Sequence, residues 1–188
     1  MKLFGTDGIR GKFNESPINH VQLVKIGYAF AKSLFNNQEG KIYISHDGRE
    51  SSSDIESALS TGIIYQGSEV ISIGLLPTPA LSICLNAQRL EKELCAGIQI
   101  TASHNPYHDN GVKFFDKNGF KIDSVLEKII ENNYFNQVEE IHIEDKKKSK
   151  HDSSEVFNKR YINYINDYFL LKVKGVESPK RKFNILVD

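Results

Sequence analysis

Residues 94–101 read LCAGIQIT, and between Cys95 and Ile100 the only strongly polar side chain is Gln99. A half-exposed strand alternates apolar and polar residues, whereas a short continuous run is a strand covered on both faces. That constrains the chain to a layered α/β domain, in which helices cover both sides of a sheet. The run ends in Thr101-Ala102-Ser103-His104-Asn105-Pro106. Pro106 cannot donate to a ladder and stops the pairing. A serine, a histidine and an asparagine at this point serve no purpose in core packing. The next strand, GVKFFD, follows a predicted Asp109-Asn110-Gly111 turn. The short connection makes the two strands antiparallel neighbours.

The remaining pattern alternates strand and helix. Leu23, Ile26, Gly27, Phe30, Ala31 and Leu34 recur at helical spacing, predicting a helix over about 19–35 with Asn19 as N-cap. KIYIS (41–45) and EVISIG (69–74) read as strands. Between them, Ile55, Ala58, Leu59, Gly62 and Ile63 form a helical stripe, with Ser53 and Glu56 as a capping box. Thr78 and Pro79 open a further helix, and Asp123 caps one containing Val125, Leu126, Ile129 and Ile130. A polar loop over about 136–154 precedes a last helix with Phe157, Tyr161, Tyr164, Ile165 and Tyr168 on one stripe. The expectation is a three-layer α/β/α domain on a mixed, mostly parallel four-stranded sheet.

Composition narrows the partners. Hydrophobic residues make up 39% of the 188-residue chain and charged residues 26%, a globular balance. Lys+Arg and Asp+Glu are 24 each, so overall charge gives no footprint for nucleic acid or membrane. The run Lys146-Lys147-Lys148 beside an acidic stretch reads as a solvated loop. Cys84 and Cys95 are expected to be buried thiols in a reducing cytoplasm, and no Cys/His cluster has zinc-ligand spacing. The first residues lack the apolar core of a signal peptide, and no run approaches membrane-span length, so a cytoplasmic location is expected.

Four stretches could carry chemistry. Ser103 lies at the C-terminal edge of its strand, where open α/β sheets bind ligands. It has three readings: a hydrolase nucleophile, a phosphate-bearing serine, or a turn residue that bonds its own backbone. The nucleophile elbow G-x-S-x-G is absent, which weighs against the first. The stretch FGTDGIRG (4–11) has three glycines in eight residues, with Thr6, Asp7, Gly8 and Arg10. It is either a loop whose backbone approaches a ligand, with Arg10 able to grip a phosphate, or a glycine-rich hairpin. It matches neither a Walker loop nor a dinucleotide fingerprint. In SHDGRESSS (45–53), Asp47 and Arg49 precede a helix N-terminus, either as an anion site or as a surface ion pair with caps. Lys113 opens the strand after the serine loop. It is either solvent-exposed or, beside a phosphoserine, a general acid or base.

Taken in order, FGTDGIRG, DGRESS, PTPA, TASHNP and DNGVKFF resemble the motifs of the α-D-phosphohexomutase family, over essentially the whole chain as its first domain. Within the family, FGTDGIRG with SHNPYHDNGVKFFDKNGFKI is most similar to the phosphoglucosamine mutases. Other phosphomannomutase/phosphoglucomutase members are the nearer alternative, and a non-catalytic dimerisation or interaction module the more distant one. The resemblance implies that Ser103 carries a phosphate and passes it to glucosamine 6-phosphate. A bisphosphorylated sugar then returns its other phosphate to the serine and leaves glucosamine 1-phosphate. It implies Mg²⁺ on the phosphoserine oxygens, charge from Arg10 and Lys113, proton handling by Lys113 or His104, and support from Asn105, Thr6, Asp7, Gly8, Asp47 and Arg49. It permits a homodimer, which no sequence feature demands.

The family takes its metal from an acidic D-G-D-x-D-R loop in a second domain, and no D-x-D run occurs here. The stretch VESPKRKFNILVD reads as a linker followed by a lone strand, so the expected division is a first domain over 1–172, a linker over 173–182 and the first strand of a truncated second domain over 183–188. Such a fragment is expected to be inactive alone as a mutase.

Overall fold

The computed structural model describes residues 2–36, 38–90, 94–136 and 150–174, with Asn184 and Leu186. Its sheet is built from β1 (Ile9–Lys12), β2 (Lys41–His46), β3 (Glu69–Leu75), β4 (Cys95–Ile100), β5 (Asp109–Phe115) and β6 (Lys150–Asp152). The helices are α1 (His20–Phe35), α2 (Ser52–Gln66), α3 (Thr78–Leu90), α4 (Ser124–Asn136) and α5 (Ser154–Val173). The strand order is β1-β5-β4-β2-β3-β6. The four strands from β4 to β6 run parallel; on the other side β5 pairs antiparallel to β4, and β1 antiparallel to β5, so that only β5 runs against the rest. All six residues of β4 are buried, as the uninterrupted apolar run requires.

Two hydrophobic clusters flank the sheet. The larger joins α1, α2 and α4 to one face through Leu23, Phe30, Leu59, Ile44, Ile98 and Phe114. The smaller joins α3 and the start of α5 to the other through Leu81, Leu85, Tyr43 and Phe157. Phe114 sits edge-on to Phe4 at 5.5 Å between ring centres and contacts Phe30 at 4.7 Å. These aromatic contacts anchor the N-terminal segment to β5.

Asn19 caps α1 as expected, its Oδ1 accepting from the Gln22 N–H at 3.0 Å. Asp123 caps α4 through the N–H groups of Val125 and Leu126. The glycines in the α1 and α2 stripes explain how these helices touch. A Cβ at Gly62 would overlap the Val24 carbonyl oxygen, and one at Gly27 would overlap that of Leu59. The two helix backbones are therefore in direct contact. Cys84 and Cys95 are buried and form no disulfide. Among the described residues, no helix is long and apolar enough to cross a membrane.

Several expectations are corrected. The sheet has six strands instead of four. β1 arises from the second half of FGTDGIRG, where Ile9 is buried against Val112 and the ladder runs on to Lys12 and Asp109. That pairing absorbs Asp109-Asn110-Gly111 into β5, so these residues are strand and not turn. β6 lies inside the stretch expected to be loop. The capping box at Ser53 does not form: α2 starts at Ser52, and the cap position, Ser51, makes no side-chain cap bond. Ser51 Oγ donates instead to Asn110 Oδ1 at 2.6 Å. On α5, Phe157 is buried, but Tyr164, Ile165 and Tyr168 are exposed, because only the first turns of this helix lie over the sheet and α3. The lysine run at 146–148, and the expected linker and terminal strand apart from Val173, Lys174, Asn184 and Leu186, lie outside the described residues.

The α1–α2 contact sets a stability prediction. Gly62→Ala forces the two backbones apart and should destabilise the chain by about 2 kcal/mol or more. Urea unfolding checks this; an unchanged midpoint would contradict direct backbone contact.

Candidate active site

The parallel register of β2 and β4 sets the site. His46 pairs with Ile100, so Asp47 and Thr101 leave the sheet side by side. The Asp47 N–H donates to the Ile100 carbonyl at 3.1 Å, and Thr101 Oγ1 donates to Asp47 Oδ2 at 2.7 Å. Thr101 Oγ1 also accepts from the Ser103 N–H at 2.9 Å. Ser103 is exposed and has φ +58°, a left-handed conformation that a non-glycine residue adopts only when its surroundings impose it.

Arg49 imposes the rest. A guanidinium carries five N–H donors, and here each has an acceptor on the protein. Nε donates to Asp47 Oδ2 at 3.0 Å. Nη1 donates to the carbonyls of Pro106 (2.6 Å) and Asp109 (2.7 Å), and Nη2 to those of Ser103 (3.0 Å) and Asn105 (3.0 Å). The side chain is only 11% exposed. Of the two sequence readings of Arg49, the ion pair with Asp47 is present, and its remaining donors are committed to the serine loop. Asn105 braces the same loop, donating from Nδ2 to Asp109 Oδ2 at 3.0 Å.

A second group meets this loop from the N-terminal strand. Arg10 Nη1 donates to the Ala102 carbonyl at 2.8 Å, which brings the guanidinium to the residue before Ser103. Arg10 Nη2 also bonds Asp7 Oδ2 at 3.2 Å, and Lys113 Nζ lies 2.7 Å from the same oxygen. Burial pushes the Asp7 carboxyl pKa up, but the Lys113 bond and charge, followed by those of Arg10, outweigh it and hold it below the usual carboxylate range. Gly8 (φ +81°) lets this segment cross β5, since a Cβ there would overlap the Val112 carbonyl oxygen. The Thr6 carbonyl accepts from Lys121 Nζ at 2.9 Å.

His104 Nδ1 lies 3.5 Å from Ser103 Oγ, at the outer limit of a hydrogen bond. Asp7, Arg10 and Lys113 thus form one cationic group, and Asp47, Arg49, Thr101 and Asn105 one supporting frame, with Ser103 where they meet. Sequence reasoning missed Thr101, Asp109 and Lys121. Only Thr101 leaves a local signal: a hydroxyl two residues before Ser103 can accept that residue's N–H.

The metal expectation can be tested against the donors present. Among the described residues, no group of three or more His, Cys, Asp or Glu side chains could hold a metal ion. Asp7, Asp47 and Asp109 already bond protein cations or amides. These residues do not make a Mg²⁺ site by themselves. A cleft of about 370 Å³ flanks the loop on the side of Tyr107, His108, Glu50 and Asp54, without Ser103 in its lining.

The Asp7 contacts predict its titration. A carboxylate with a lowered folded-state pKa contributes stability above its unfolded value and loses it as the pH falls through the folded one. The Asp7 carboxyl, followed by ¹³C NMR, should titrate below an unperturbed aspartate, and Asp7→Asn should flatten the acid limb of stability. Titration at or above the ordinary value would contradict the pairing.

Known proteins resemble this chain in sequence and in fold. Residues 1–140 match the family model described as phosphoglucomutase/phosphomannomutase, alpha/beta/alpha domain I. Over 130 residues, 69% of this chain, it is 45% identical to a phosphoglucosamine mutase of Pseudoalteromonas translucida (strain TAC 125). It is 46% identical to that of Coxiella burnetii (strain Dugway 5J108-111) over the same length. The matched region is 28% of the length of each of these relatives. Among solved structures, a protein of Thermus thermophilus assigned as a phosphomannomutase superposes with a TM-score of 0.72 at 28% identity, covering 90% of this chain and 36% of its own. A Paramecium phosphoglucomutase, pp63/parafusin, superposes at 0.66 with 22% identity and the same coverage, a likeness of fold. A family-model match over the first 140 residues, on a sheet that carries the serine loop at its C-terminal edge, shows that the chain belongs to the phosphoglucomutase/phosphomannomutase family.

Proposed function

We propose that Ser103 carries the phosphoryl group of a phosphosugar mutase that interconverts glucosamine 6-phosphate and glucosamine 1-phosphate. The observation that carries this reading is an exposed serine in a left-handed turn, beside a strand end gripped by Arg10 and its Asp7–Lys113 partners. The choice of amino sugar rests on the 45–46% identity to proteins named phosphoglucosamine mutase. The Thermus protein assigned as a phosphomannomutase is more distant, at 28%.

In the forward direction the sugar C1 hydroxyl attacks the phosphorus of phospho-Ser103. The bond from phosphorus to Ser103 Oγ breaks, and the hydroxyl proton passes to a base. The product is glucosamine 1,6-bisphosphate. After reorientation, Ser103 Oγ attacks the phosphorus on O6, the bond to O6 breaks, and glucosamine 1-phosphate leaves with the serine rephosphorylated. His104, whose Nδ1 lies 3.5 Å from Ser103 Oγ, would give the departing serine oxygen a proton in the first step and take it back in the second, while the proton that the C1 hydroxyl loses is balanced by the one O6 gains. Arg10 and Lys113 counter the repulsion between two anionic phosphates, which falls most heavily on the transition state. When bound, Mg²⁺ would add to that charge compensation. Its protein ligands beyond the phosphoserine oxygens lie outside this set of residues.

In this reading the chain supplies the nucleophile and the cationic side of the site, while sugar recognition and the metal cage come from elsewhere in the parent protein. The test uses the purified chain with glucosamine 6-phosphate, Mg²⁺ and a hexose 1,6-bisphosphate. Intact mass and phosphopeptide mapping should find one phosphoryl group, on Ser103, absent from Ser103→Ala. Glucosamine 1-phosphate should form at least a hundredfold more slowly than with a full-length relative, roughly the loss expected when positioning groups are missing. Phosphate on another residue, or turnover equal to the full-length enzyme, would overturn the proposal.

A further inference from the structure

We infer that Arg49 is a positioning residue that holds Ser103 in its phosphoryl-accepting conformation and does not itself bind the sugar phosphate. Its bearing on catalysis rests on the reading of Ser103 given above; its grip on the loop does not. Every donor of the guanidinium has an acceptor on the protein, and four of the five acceptors are carbonyls within residues 103–109. An anion could recruit this group only by breaking those bonds.

The bonds converge on the strained residue. The Ser103 carbonyl is held by Arg49 Nη2. The Ser103 N–H is held by Thr101 Oγ1, which donates to the Asp47 carboxylate oxygen that also accepts from Arg49 Nε. Both backbone groups of Ser103 are therefore tied, directly or through Thr101, to the Asp47–Arg49 pair. Fixing a residue at both its N–H and its C=O determines φ and ψ together, which is what a left-handed serine requires. The free cationic charge belongs to the other group: Arg10 and Lys113 share one carboxylate that is 44% exposed, so an incoming phosphate can compete for them.

Lysine cannot substitute, because an ammonium has three donors in no planar fork. Thr101→Val removes only the hydroxyl, with nearly the same shape. The experiment compares the wild-type chain with Arg49→Lys and Thr101→Val by two readouts. The first is amide hydrogen exchange across 101–109, against the strand 95–100 as internal control. The second is the rate of phosphoserine formation over a range of hexose 1,6-bisphosphate concentrations. Both variants should exchange loop amides at least tenfold faster with the strand unchanged. The saturating rate should fall at least tenfold, while the half-saturating concentration moves less than threefold. Unchanged loop exchange would overturn the inference. So would a tenfold rise in half-saturating concentration with the saturating rate intact, since Arg49 would then bind the phosphate. If the wild-type chain takes no phosphoryl group at Ser103, the proposed reaction fails, and loop exchange alone decides whether Arg49 holds the loop.

Discussion

The site depends on two parallel strands ending in register. Because His46 pairs with Ile100, the next residues along each chain, Asp47 and Thr101, are near enough for a hydroxyl–carboxylate bond of 2.7 Å. That bond orients Asp47 toward Arg49 and Thr101 toward the Ser103 N–H. A left-handed serine costs on the order of 1–2 kcal/mol, and the frame that offsets this cost exists only if β2 and β4 keep their register. A slip of one residue would turn each side chain of β4 to the opposite face and separate Asp47 from Thr101. The one polar side chain of β4 opposes such a slip: Gln99 is buried, accepts from Ser45 Oγ and donates to the Leu76 carbonyl, and the opposite face would leave it without these partners. The packing of the core strand and the geometry of the serine are one constraint seen at two places.

The charges divide into those that support and those that can act. Arg49 is nearly buried, and a buried charge is tolerable only when its donors are matched; this one is matched at all five. Arg10 and Lys113 are less enclosed, and both lean on the Asp7 carboxylate, which they keep ionised. Asp7 relieves the repulsion between two cations while no anion is present. It can leave when one arrives, because its own hold is partly solvated and therefore modest. Under the proposed function, an arginine that cannot leave and a pair that can would suit a site that keeps one shape while phosphate changes hands.

Much of the fold was legible from periodicity. The α1 stripe, its Asn19 cap, the continuous β4 and the antiparallel β5 follow directly from side-chain pattern. The edge strands were not legible. β1 has four residues, IRGK, with only Ile9 fully buried, and its pairing is decided by β5 a hundred residues away. β6 is three polar residues whose strand character comes from β3. The stripe on α5 was visible, but nothing in its spacing says that cover ends after the first turns. In the candidate site, the polar residues that meet around Ser103 could be named, yet the direction of the Arg49 guanidinium could not. A sequence shows an arginine between a strand and a helix; only the tertiary fold brings carbonyls 54 to 60 residues away within its reach. Thr101 escaped notice because it reads as the last residue of a strand, though its hydroxyl joins Asp47 to Ser103.

The most direct test is a crystal structure of the chain with phosphoserine installed at position 103. The account predicts a positive φ at that residue, the Arg49 guanidinium still on the carbonyls of residues 103, 105, 106 and 109, and phosphoryl oxygens in contact with Arg10 or Lys113. A phosphoserine turned away from Arg10 and Lys113, or an Arg49 that has left the loop carbonyls to grip the phosphate, would contradict it.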